Sequence, residues 1–191
     1  MKKIISLFER DYDGNRQVID QVVPGAEWVI AGEGTPTQQL DGSCCMIRDR
    51  KLYKRYTVKN GRKAPKDFEP VTDRDPITGK QEGWVPVGDG PEDKWHRAAL
   101  NEMRVSDLVD GTYELCGPKV QGNPEGLIDP VLLRHGFIKF APGDEPPRTF
   151  DELRVWFDGL DAEGIVWHHP DGRMVKIKGK DFGIKRGVES K

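Results

Sequence analysis

At 191 residues, with 36% hydrophobic and 32% charged side chains, the chain has the length of one domain with a real core and the polarity of a soluble globule. A net charge of −2 excludes a polycation, so any nucleic-acid surface must be a local patch. Cys44, Cys45 and Cys116 make neither a disulfide ladder nor a C-x-x-C metal spacing, and they read as reduced strand residues of a cytoplasmic protein.

Met1-Lys2-Lys3 opens like a secretory leader. The apolar run Ile4-Ile5-Ser6-Leu7-Phe8 then meets Glu9-Arg10-Asp11 too soon for one, and no other stretch is apolar enough to span a membrane. Short apolar runs follow, with a turn at Pro24-Gly25. Residues 27–31 read as a strand running into a Gly32–Gly34 loop and on to Gln39-Leu40-Asp41-Gly42-Ser43. Asp-Gly on its own is an ordinary β-turn. Residues 44–58, rich in Val, Tyr, Ile and Cys, read as the two strands of a hairpin.

Between Lys51 and Lys66 stand seven basic residues and no acid: Lys51, Lys54, Arg55, Lys59, Arg62, Lys63 and Lys66. Tyr53 and Tyr56 interleave them. Such a patch suits a phosphate backbone, or, from Arg62 onward, a solubilising loop. Residues 59–92 read as loop, because Pro65, Pro70, Pro76, Pro86 and Pro91 interrupt any regular element.

Residues 93–104 suit a short helix carrying Trp95, Ala98, Ala99 and Met103. Asp129-Pro130, then Val131-Leu132-Leu133 and Gly136, has the cap, first-turn proline and terminal glycine of another. Thr149-Phe150-Asp151-Glu152 is a capping box, opening a helix with Leu153, Trp156, Phe157 and Leu160 on one face.

The last hairpin joins Ile165-Val166-Trp167 to Met174-Val175-Lys176-Ile177-Lys178 through His169-Pro170-Asp171-Gly172. A four-residue loop there sets Glu163 opposite Lys178. Alternation puts Lys176 and Lys178 on one face, Val175 and Ile177 on the other. His168 and His169 are neighbours in a strand, point to opposite faces and do not chelate one ion; they read as turn residues. His96 and His135 have no evident partner. Mixed strands and few helices, mostly hairpin-connected, indicate an α+β fold, and no Rossmann or P-loop glycine motif occurs.

Four stretches carry chemistry in a fixed order. They are Gln39-Leu40-Asp41-Gly42, Tyr113-Glu114-Leu115-Cys116-Gly117-Pro118, Glu163-Gly164-Ile165-Val166, and Val175-Lys176-Ile177-Lys178-Gly179. In this order they resemble the motifs of the covalent nucleotidyltransferases: ATP-dependent DNA and RNA ligases and mRNA-capping guanylyltransferases. Gln39 stands where that superfamily has the lysine of K-x-D-G. Leu-Asp-Gly-Ser-Cys-Cys and Leu-Tyr-Lys-Arg-Tyr look most like the small 5′-to-3′ RNA ligases, and the resemblance spans about residues 27–183.

The resemblance implies an adenylyltransferase domain, ATP-grasp-like, of antiparallel sheets flanked by short helices and filling residues 1–191 as one domain. Thirteen residues follow Lys178, too few for an OB domain, so none is expected. It implies ATP with Mg²⁺ (or Mn²⁺) as cofactors. The partner it implies is RNA bearing 5′-phosphate and 3′-hydroxyl ends, handled by a monomer with no membrane attachment. Gln39, Asp41, Glu163, Lys176 and Lys178 would be the catalytic set. Lys54, Arg55, Glu114, Phe137, Phe140, Lys176 and Lys178 would hold the nucleotide, one phenylalanine stacking on the purine. Glu114 and Glu163 would support metal.

The nucleophile in this chemistry is an amine attacking the α-phosphorus of ATP, activated by neighbouring cations or desolvation. The Gln39 amide nitrogen is conjugated to its carbonyl and forms no phosphoramidate. Two expectations follow: an RNA ligase blocked in its first step, or a non-catalytic protein that binds nucleotide or RNA ends. A capping-type guanylyltransferase, to be revealed by a preference for GTP, is the weaker third.

Overall fold

A computed structural model of the chain describes residues 4–158 and 160–186. In chain order these form β1 (Ile5–Ser6), β2 (Phe8–Arg10), β3 (Val18–Val22), α1 (Glu27–Ile30), β4 (Thr35–Gln39), β5 (Ser43–Arg48), β6 (Lys51–Val58), β7 (Glu69–Pro70), β8 (Gln81–Pro86), α2 (Lys94–Asn101), β9 (Gly111–Cys116), β10 (Val131–Arg134), α3 (Phe150–Phe157), β11 (Gly164–His168) and β12 (Met174–Lys178). The α+β reading holds, and every strand pair is antiparallel except β1 with β12.

The sequence reading expects one domain over 1–191; the contacts group the chain into two compact units. Asp41–His135 make the first. The stretches ending at Leu40 and starting at Gly136 make the second.

The first unit is a six-stranded sheet in the order β10-β9-β5-β6-β8-β7. Cys45, Ile47, Leu52, Tyr113, Leu115 and Leu132 line its core, with Ala99 of α2 packed among them. The β5–β6 hairpin turns on Asp49 and Arg50, both at positive φ (50° and 60°), the left-handed geometry that a two-residue hairpin turn requires.

Two expectations fail here, both because a partner strand overrides local composition. Residues 131–134, expected as helix, form β10 and pair with Tyr113–Cys116 of β9. Pro130 begins no helix; it packs on Gly117, where a Cβ would meet the proline Cα at 2.7 Å. Residues 81–86, expected as loop, form β8 between β6 and β7. Its proline closes the strand, and Pro70 lies on the sheet edge, positions where a missing N–H is tolerated.

The second unit holds a four-stranded sheet in the order β1-β12-β11-β4 and the small β2-β3 pair. Residues 164–167 are all buried, as suits a central strand covered on both faces. Ile165, Trp167, Val175 and Ile177 are fully buried and pack with Phe8, Leu153 and Phe157.

The stretch expected as a strand over 27–31 is instead the helical turn α1. Ala26, Trp28 and Val29 are buried together, and the Ala31 N–H reaches the Glu27 carbonyl, the i to i−4 bond of a helical turn. In α3, Leu153 and Phe157 face the core as expected, but Leu160 lies beyond the helix end and is 37% exposed. The Thr149 hydroxyl donates to Glu152 Oε2 at 2.6 Å, so the two capping-box side chains bond each other rather than the backbone. The last hairpin has a five-residue loop, with His169 N–H donating to the Arg173 carbonyl. That shifts the pairing by one: Gly164, not Glu163, stands opposite Lys178.

Candidate active site

In the second unit, one row of the sheet reads Gln39–Gly164–Lys178 across β4, β11 and β12. Directly paired residues share a face. Gln39 and Lys178 therefore project from the same side, with no side chain between them. A Cβ on Gly164 would lie 3.1 Å from Lys178 Cγ and 3.3 Å from Gln39 Oε1. Gln39 Oε1 is shut off from solvent and has no hydrogen-bond partner. Lys176 lies one pair along on this face, and Val175 and Ile177 point into the core, as alternation predicts.

Glu163, 9% exposed, accepts a hydrogen bond from Lys178 Nζ at 2.5 Å and lies 3.4 Å from Lys180 Nζ. Burial opposes its ionisation. The Lys178 ammonium, aided by Lys180, outweighs burial and holds the carboxyl below its ordinary value. Asp181, also buried, fixes the other end of Lys178: its Oδ2 accepts the Lys178 N–H at 3.0 Å, and its Oδ1 receives Arg10 at 2.5 Å. Phe140 packs edge-on against Trp156, 5.7 Å between ring centres, and belongs to the core. Phe137 is 65% exposed.

In the first unit, the Asp41-Gly42 turn is held by two glutamates. The Asp41 N–H donates to Glu125 Oε1 at 2.9 Å, and the Gly42 N–H donates to Glu114 Oε1 at 3.1 Å. A side chain on Gly42 would place Cβ 2.2 Å from the Leu115 carbonyl oxygen, so only glycine fits the crossing. Glu114 Oε2 lies 2.9 Å from His135 Nε2, and His135 Nδ1 lies 2.9 Å from Thr112 Oγ1. Cys44 stands directly across from Glu114. Burial and the Glu114 charge push its thiol up to about 11.

The basic strand divides. Lys54 pairs across from Cys45 on the α2-covered face, where Asp93, 2% exposed, takes its ammonium at 2.5 Å. Arg55 alternates to the face of Cys44. It pairs with Glu82, and its guanidinium carbon lies 5.3 Å from the centre of the Trp84 ring. Lys51, Lys59, Arg62, Lys63 and Lys66 are exposed.

Of the expected site residues, Gln39, Glu163, Lys176 and Lys178 share one corner of the second unit, and Asp41, Arg55 and Glu114 lie in the first. Lys54 and Phe140 are committed to other partners. The sequence reading missed Lys180 and Asp181, though the acid three residues after Lys178 fits a turn cap. It missed His135 and Cys44 as neighbours of Glu114, a proximity that only strand register reveals.

The RNA ligase 1 family model matches residues 91–191, a span that includes Glu114, Glu163, Lys176 and Lys178. RNA ligase 1 of Pongo abelii is 26% identical over 220 aligned positions, covering 78% of this chain and 67% of that protein. RNA ligase 1 of Danio rerio is 30% identical over 134 positions, covering 54% of this chain and 41% of that protein. RNA ligase 1 of Mus musculus is 26% identical, covering 78% and 66%. The chain thus spans about two thirds or less of these relatives. No helix among the described residues is long and apolar enough to cross a membrane.

Proposed function

The chain belongs to the RNA ligase 1 family, and from that premise we propose that it is an ATP-dependent RNA ligase domain halted before its first covalent step by Gln39. Its substrates would be RNA 5′-phosphate and 3′-hydroxyl ends, and it would act as a monomer. The observation that carries this reading is the Gln39–Gly164–Lys178 row: the nucleophile position stands beside a lysine across a glycine gap.

A lysine at 39 would have Lys178 as its neighbour, and a like charge at that range favours the neutral, nucleophilic amine. Bound ATP would supply the α-phosphorus as electrophile and pyrophosphate as leaving group, with Mg²⁺ or Mn²⁺ drawing off charge. The donor set fits those partners: Lys176 and Lys178 offer two cations on one face to the phosphates, and Glu163 offers a carboxylate kept ionised. Lys178 would exchange its Glu163 partner for phosphate oxygens, which frees the carboxylate for metal. Phe137, 65% exposed, would stack on the purine. The exposed lysines and arginine of the 51–66 stretch would meet the RNA backbone.

Gln39 itself favours a second reading, a protein that binds nucleotide or RNA ends without covalent chemistry. Label transfer from α-phosphate-labelled ATP with Mg²⁺, comparing the chain with Gln39→Lys, separates the two. A labelled band in Gln39→Lys alone is the expected result. No band in either, with ATP still bound by calorimetry, would support the non-catalytic reading.

A further inference from the structure

Three neighbouring strands of the first unit bring together three donors that ATP chemistry leaves partly unused. Cys44 of β5 pairs directly with Glu114 of β9. His135, one residue beyond β10, donates its backbone N–H to the Thr112 carbonyl, so it stands across from Thr112, two residues from Glu114. Side chains two apart on a strand share a face. Cys44, Glu114, Thr112 and His135 therefore all project away from the core side that holds Cys45, Tyr113 and Leu115. One ligand atom from each of Cys44, Glu114 and His135 lies within 4.8 Å of the others.

We propose that Cys44, Glu114 and His135 form a binding site for a zinc-type divalent metal, with a fourth coordination position open. The donor set is a sulfur, an imidazole nitrogen and a carboxylate oxygen, which selects a borderline-soft ion over Mg²⁺. Mg²⁺, the ion expected with ATP, would therefore compete poorly for these donors. Bonds of about 2.0–2.3 Å place tetrahedral ligand atoms roughly 3.3–3.7 Å apart. The widest separation need close by only about 1 Å, a side-chain adjustment. Two supports are already in place. Thr112 Oγ1 holds His135 Nδ1 at 2.9 Å and so aims Nε2 inward, the outer partner that metal-bound histidines ordinarily have. The Gly42 N–H holds Glu114 Oε1 at 3.1 Å and leaves Oε2 toward His135. The His135 side chain is 30% exposed, which gives an ion a path from solvent. On binding, the Cys44 thiol proton leaves to solvent and the thiolate sulfur forms the metal bond.

The proposal rests on the geometry of the first unit and not on the ligase reading, and its test needs neither ATP nor RNA. The full chain, reduced and stripped with chelator, is titrated with Co²⁺. The expected result is one Co²⁺ per chain with a thiolate-to-cobalt charge-transfer band, displaced by Zn²⁺ and unaffected by excess Mg²⁺. Cys44→Ser abolishes the band, His135→Asn weakens binding at least tenfold, and Cys116→Ser keeps both. Thr112→Val, which touches no metal, weakens binding by roughly ten- to a hundredfold. Circular dichroism checks that each variant is folded. If Cys44→Ser does not fold, His135→Asn and Thr112→Val decide. Absence of the band in the parent chain, its displacement by Mg²⁺, or unchanged affinity in His135→Asn overturns the site.

Discussion

Lys178 Nζ lies 2.5 Å from Glu163 Oε1, and both side chains are almost closed to solvent, at 15% and 9% exposure. The pair ties the residue leading into β11 to the last residue of β12. Replacing Glu163 by Gln leaves the Lys178 ammonium half-partnered and should cost about 1–3 kcal/mol at neutral pH. The pH dependence follows from the depressed carboxyl of Glu163. A carboxylate whose folded value lies below its unfolded value stabilises above the unfolded value, near pH 4.3, and loses that contribution as pH falls through the folded one. Urea midpoints of the chain and Glu163→Gln should therefore differ at neutral pH and converge below the ordinary carboxylate range. A gap unchanged in acid would mean that the Lys178 pair is not its source.

The lysine row was legible in the sequence because alternation within one strand needs no knowledge of the partner. The Pro-Asp-Gly turn was legible for the same reason: its chemistry is local. The partner register was not. One extra loop residue moved Gly164 into the place expected of Glu163, and that shift put a gap where a carboxylate was expected. Strands β8 and β10 were hidden because their prolines and apolar runs are neutral between states until a neighbouring strand supplies hydrogen bonds. Cys44, Glu114 and His135 lie far apart in sequence, and only the order β10-β9-β5 brings them to one spot. Lys54 and Arg55 read as one basic pair, yet adjacent strand residues face opposite ways.

That division gives Lys54 a buried partner within the first unit. Asp93 takes its ammonium at 2.5 Å and also accepts the Gly88 N–H at 2.8 Å. Burial raises the Asp93 carboxyl, and Lys54 with the Gly88 N–H more than reverses that. Asp93→Asn strands a half-buried lysine and should destabilise the first unit by about 2–4 kcal/mol, whereas Lys54→Met with Asp93→Leu should recover most of it. Chemical unfolding of the two variants and the parent chain measures this. Lys54→Met should leave ATP affinity within about threefold, well under 1 kcal/mol; a large loss of affinity in a folded Lys54→Met would return Lys54 to the phosphate site.

Arg148 organises the approach to the motif strand. Its guanidinium donates to the carbonyls of Val29 and Gly34, both at 2.9 Å, and to that of Glu33. Two of these carbonyls belong to the Gly32–Gly34 turn from which β4 leads to Gln39, and the third to α1 before it. Burial pulls the Arg148 value down, and no carboxylate is among its hydrogen-bond partners, so its role is to satisfy backbone rather than charge. Arg148→Met should cost about 2–3 kcal/mol and speed amide exchange along residues 31–39. Lys at this position, with a single ammonium in place of the planar fork, should recover less than half. Unchanged exchange in Arg148→Met would detach this residue from the loop.

Gly164 tests the row from its centre. A methyl group there would meet the Ile177 carbonyl oxygen at 2.5 Å, closer than any tolerated contact, as well as Lys178 Cγ and Gln39 Oε1. Backbone oxygen cannot swing aside, so β11 and β12 must part locally, at a cost of about 1–3 kcal/mol. The same methyl would fill the space that separates Gln39 from Lys178. Gly164→Ala should therefore lower the melting temperature and weaken ATP binding by calorimetry at least tenfold. Introduced into Gln39→Lys, it should suppress label transfer more than it suppresses binding, because it displaces the amine from its neighbouring cation. Equal label transfer with and without the methyl would show that the Gly164 gap has no part in positioning residue 39.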